Sequence, residues 1–123
     1  MSDAWRVTVR VGPKVERAKA GSLEEALDEL ERRTRIAATA TGRSGSVELR
    51  FRTFEPGDRV IVRSELSGPG RWLPAVRAGI DVRGDGSEQA WTGRVSRAEI
   101  VAERGEDAYA ALRRSLQSVS VDP

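Results

Sequence analysis

Nineteen of the 21 basic residues in this 123-residue chain are arginine, and eight of them fall at alternate positions of strand-like runs. Arginine is permanently charged, planar and forked, so a row of it suits carboxylates or phosphates. On one face of a sheet, Arg6, Arg10, Arg50, Arg52, Arg63, Arg77, Arg83 and Arg94 would form a platform for a phosphate backbone. Glu48, Glu65 and Asp81 are interspersed among them. The same pattern therefore also fits a solvated face of cross-strand Arg–carboxylate pairs. A third account is an interface between copies of the chain. Arg and Trp are enriched at interfaces, and an open sheet edge invites pairing.

Other chemistries are narrowed by what is missing. The chain has no histidine and no cysteine. That removes the usual general base, the commonest zinc ligands and every thiolate nucleophile. Catalysis would have to run through carboxylates, Lys14, Lys19 or Tyr109, and no constellation of these stands out, so the chain reads as non-enzymatic, with no cofactor and no metal. Asp81 to Glu88 hints at a calcium loop, but Arg83 and Thr92 stand where oxygen ligands are needed. Gly68-Pro69-Gly70 lacks the Lys-Ser/Thr of a phosphate-cradling loop. Glu99, Glu103, Glu106 and Asp107 read as an acidic helix start facing solvent.

The net charge of +2 tempers the nucleic-acid reading, since such binders carry a larger basic excess. Base-stacking sheets also show aromatics, and alternation points Phe51 and Trp91 toward the core, leaving Phe54 and Trp72 near strand ends. Trp5 and Trp91, both expected on the inner face, define a candidate small-ligand pocket between sheet and helices.

The elements that must position these residues follow from periodicity. Trp5, Val7, Val9 and Val11 alternate with Arg6, Thr8 and Arg10, which predicts a half-buried strand. A second strand is expected at Val15 to Lys19. Ser22 with Glu25 forms a capping box, and Leu23, Ala26, Leu27 and Leu30 share a helical face. Ile36 to Thr41 could continue that helix to Gly42 or become irregular. Val47, Leu49 and Phe51 predict a strand, followed by strands at Val60 to Arg63, Val76 to Arg83 and Glu88 to Val95. Asp85-Gly86 marks the hairpin between the last two. Ser96 to Glu103 is open between strand and helix. A helix then starts at Glu106 or Asp107, with Ala108, Ala111, Leu112, Ser115 and Leu116 facing inward.

The expected fold is α+β: a single antiparallel sheet of five to six strands, both helices on one face, in the order β-(β)-α-β-β-β-β-α. Residues 1–123 read as one domain, with 119–123 a flexible tail. No signal peptide or membrane-spanning run is visible, so a cytoplasmic location without membrane contact is expected.

Gly105-Glu106-Asp107-Ala108-Tyr109-Ala110-Ala111-Leu112 resembles the start of the last helix in ribosome hibernation factors. That resemblance implies an RNA partner. It covers eight residues, and the extra strand and the long Ser67 to Leu73 connection depart from the family. Residues 98 to 123 carry three arginines against five acidic residues, less basic than the family's helices. The residues themselves favour an interaction module that pairs with itself as a homodimer or larger. Nucleic-acid backbone binding and small-ligand binding are the alternatives.

Overall fold

The computed structural model describes residues 4–48, 59–69, 76–93 and 97–121, with backbone alone at 41–48 and 118–121. Six strands form one antiparallel sheet: β1 (Trp5–Val11), β2 (Lys14–Ala20), β3 (Val60–Gly68), β4 (Val76–Arg83), β5 (Glu88–Thr92) and β6 (Ala98–Ile100). Their spatial order is β2-β1-β3-β4-β5-β6. Helix α1 (Leu23–Glu48) follows β2, and α2 (Ala108–Val121) closes the chain. The order ββαββββα is the one the periodicity predicts. One strand, however, comes from a different segment.

β1 and β2 are joined by the two-residue turn Gly12-Pro13, with Val11 opposite Lys14. Gly12 has φ +57, as the first central position of a II′ hairpin turn requires. This turn fixes the register of the whole hairpin. Trp5, Val7 and Val9 point to the helix side, while Arg6, Thr8 and Arg10 point away.

Ser22 caps α1, its Oγ accepting from the Glu25 amide at 3.2 Å. Ala26, Leu27, Leu30 and Thr34 are buried, one turn apart, against β1 and β3. The helix does not stop near Gly42 but runs to Glu48. The strand expected at Val47 to Arg52 is therefore not formed at Val47 and Glu48, which are helical; residues 49–52 lie outside the described residues. The sixth strand instead comes from Ala98–Ile100, within the ambiguous 96–103 stretch. α2 is capped by Asp107, whose Oδ1 accepts from the Ala110 amide at 2.8 Å. It lays Ala108, Tyr109, Leu112 and Leu116 on β4, β5 and β6. It extends to Val121, into the segment expected to be a tail.

The core lies between the sheet and the helices. Val7, Leu30, Val62, Leu66, Ile80 and Leu112 are its largest fully enclosed apolar side chains. Each such burial is worth about 1.5–3 kcal/mol relative to exposure. Ser64 faces the same core and stays satisfied, its Oγ donating to the Ile80 carbonyl at 3.1 Å. Ion pairs bridge the two helices. Arg113 of α2 reaches Asp28 at 2.7 Å and Glu31 at 3.3 Å on α1. Arg35 of α1 reaches Asp107 at 3.2 Å and stacks 4.4 Å over the Tyr109 ring. Among the described residues, no helix is long and apolar enough to cross a membrane.

Candidate functional site

Both helices cover one face of the sheet, and among the described residues no helix covers the other. Its two halves differ in how they treat charge. On the β2–β1 half, the register sets Arg6 opposite Lys19, Thr8 opposite Arg17 and Arg10 opposite Val15. All of these except Thr8 are exposed. A shallow groove of about 520 Å³ runs here, lined by Arg6, Thr8, Arg17, Lys19 and, from β3, Ser67. Among the described residues, no carboxylate lines it. Val7 and Ala18 also border it, but their side chains turn to the helix side, so they present backbone. Among the described residues, Arg6, Arg10, Arg17 and Lys19 have no carboxylate partner.

The one acid of β2, Glu16, has helix-side parity, where it meets Arg33 of α1 at 3.2 Å and Lys14 at 3.8 Å. Strand alternation thus sorts the charges of β2 by face: acid toward the helix, Arg17 and Lys19 toward the open side. Unpartnered cations held together in this way repel one another and attract a multivalent anion.

On the β3–β5 half, arginines pair with carboxylates. Arg77 forks onto Glu65, with Nε and Nη2 donating to its two oxygens at 2.8 and 3.2 Å. Asp81, nearly buried, accepts from Arg63 at 3.3 Å and from Arg97 at 2.8 Å. Arg97 also lies 4.1 Å over the Trp91 ring. Trp91 itself sits opposite Gly79 of β4. A Cβ on Gly79 would collide with the Ser64 carbonyl oxygen and come within 2.7 Å of the indole. Glycine therefore leaves the space that the indole occupies. Sealed between Gly79 and Arg97, Trp91 is only 4% exposed and offers no free face for stacking.

This placement corrects the inner-face expectation for Trp91. In β5 it is Glu88, Ala90 and Thr92 that share the helix-side parity, opposite Val82, Ile80 and Ala78. Trp5 faces the helices and Trp91 faces away, so the two indoles do not share a pocket. Of the eight arginines singled out from the sequence, Arg6 and Arg10 stand free on the open lane. Arg63 and Arg77 are tied to carboxylates, and Arg83 ends β4 beside the hairpin. Arg50, Arg52 and Arg94 lie outside the described residues.

Sequence reasoning missed Arg17, Lys19 and Arg97. The first two were legible only through the Gly12-Pro13 turn, which fixes their side of the sheet. Arg97 lies beside a three-residue strand with no alternation to read.

The polar groups on the helix side offer no reactive partner set. Burial pushes the Tyr109 hydroxyl well above its ordinary range, and the Glu88 carboxylate adds to that. Glu106 is held below the usual carboxylate range by Arg114 and by the Glu103 amide. Among the described residues no group of three or more acids is placed to hold a metal ion. Comparison with protein-family models, with curated proteins and with solved structures finds no match, so the eight-residue likeness to ribosome hibernation factors carries no further argument.

Proposed function

We propose that this chain is a non-catalytic binding module whose open β2–β1 lane takes the phosphate backbone of a nucleic acid. The observation that carries this reading is the set of four unpartnered cations, Arg6, Arg10, Arg17 and Lys19, on one side of a single hairpin. Elsewhere on the same face Arg63 and Arg77 are neutralised locally, so the lane concentrates a charge that the modest total of +2 conceals. Backbone recognition needs cations and hydrogen-bond donors, which Thr8 and Ser67 supply beside them.

Self-association, which the sequence favoured, would draw on β2 and β6, the two sheet edges among the described residues. The β2 edge nevertheless carries Lys14, Arg17 and Lys19, the kind of charge that discourages edge pairing. The lane also lacks the apolar centre of a lasting dimer interface.

Fluorescence anisotropy with labelled RNA and DNA at low salt tests the proposal. The wild-type chain should bind, and R6A/R17A/K19A should lose about tenfold or more. R77A, which removes a cation outside the lane already engaged by Glu65, should cost less than the triple variant. A flat wild-type response to both nucleic acids would refute the proposal. A mass at or above the dimer by light scattering, with that flat response, would return the argument to self-association.

A further inference from the structure

We infer, resting on the backbone-binding reading above, that the ligand is a single strand lying along β1 and β2, with one phosphate for every two residues of β1. Outward positions on a strand recur about 6.8 Å apart, a repeat of the same order as that between phosphates of an extended nucleic-acid strand. Three successive rungs face outward across the hairpin: Arg6 with Lys19, Thr8 with Arg17, and Arg10 with Val15. Each rung holds at least one cation, and the middle one adds the Thr8 hydroxyl.

The width of the lane argues for one strand rather than two. It spans two β-strands, about 5 Å between axes, and ends at the open edge of β2. On its inner side the next outward position beside Thr8 is Glu65, and one strand further Asp81 lies opposite Arg63. A duplex would have to place its second backbone about 12 Å away across a major groove. That position falls over these carboxylates and over the arginines they already neutralise. A single strand fits between the carboxylates and the edge.

The test compares a short labelled single strand with the duplex of the same sequence on the full chain, from about 50 to 200 mM salt. The single strand should bind about tenfold tighter than the duplex. Three phosphates, one per rung, at about 0.7 each predict a log–log salt slope near −2.1, which is about a 20-fold loss over that range. R10A should reduce the slope by about 0.7. A duplex bound as tightly as the single strand would overturn this inference and leave the backbone-binding reading intact. An R10A slope equal to wild type would overturn the three-rung path. Absence of binding to either ligand at low salt would remove both readings.

Discussion

Arg6 and Arg77 are both exposed arginines on the same open sheet face, yet they meet different surroundings. Arg77 has Glu65 across one ladder and gives it two hydrogen bonds. Arg6 has Lys19 on one side and Ser67 on the other, and, among the described residues, no carboxylate. The difference lies in register. In β3 and β4, acids and arginines share outward parity, so the ladder brings them together. In β2 the acid falls on the opposite parity and is drawn under the sheet to Arg33. Position along a strand, rather than residue count, decides whether a sheet face is neutral or charged.

The contrast can be broken from either side. The largest effect is expected at the paired half's foundation. G79A would drive a methyl group into the Ser64 carbonyl and the Trp91 ring. Overpacking against backbone costs about 3 kcal/mol, measurable by urea denaturation. Binding at the lane should survive below the new melting temperature. Loss of binding in a folded G79A would mean that the two halves are coupled.

D81N converts the paired half toward the open one. It frees Arg63 and Arg97 from their shared carboxylate, and because both are substantially exposed the stability cost should be about 1 kcal/mol. Nucleic-acid affinity should rise, with the salt slope steepening by up to about 0.7 per freed arginine. An unchanged slope would show that charge on this half does not reach the ligand.

R97A is the mildest. It removes the guanidinium lid from Trp91 and an exposed cation–π contact worth about 0.5–1 kcal/mol. Trp91 emission should shift to the red, and lane binding should stay unchanged. An unshifted spectrum would mean that the indole is sealed by other groups.

Much of the fold was legible in the sequence because its strongest periodicities coincide with burial. The alternation from Trp5 to Val11 and the stripe Ala26, Leu27, Leu30 each have one apolar side and one neighbour to cover it. Errors came where these conditions fail. Val47 and Glu48 alternate like a strand but lie at the end of a 26-residue helix, where local pattern is overridden by helix propagation. β2 is an edge strand with little burial, so its apolar pattern is faint and its cations were overlooked.

Trp91 misled for a different reason. A large aromatic is ordinarily core, and Glu88 and Thr92 made the other parity of β5 look external. The three-residue loop from Gly84 to Gly86, closed by the Arg83 amide donating to the Ser87 carbonyl at 2.8 Å, sets the register that turns the indole outward. Only pairing with Gly79, twelve residues back, reveals the space that receives it.

The ionic meeting of the two helices bears on motion. α1 is fixed mainly by β1 and β3, and α2 by β4, β5 and β6, while Arg113 and Arg35 bridge them through half-exposed ion pairs. Such pairs weaken with salt, whereas the apolar contacts beneath each helix do not. The molecule is thus divided into two units of local opening that join at the β3–β4 pairing. Amide exchange should proceed sooner through α2 and the short β6, and later through β1, β3 and the first half of α1. The hairpin that carries the open cations belongs to the slower unit and stays in register while the far side of the sheet breathes.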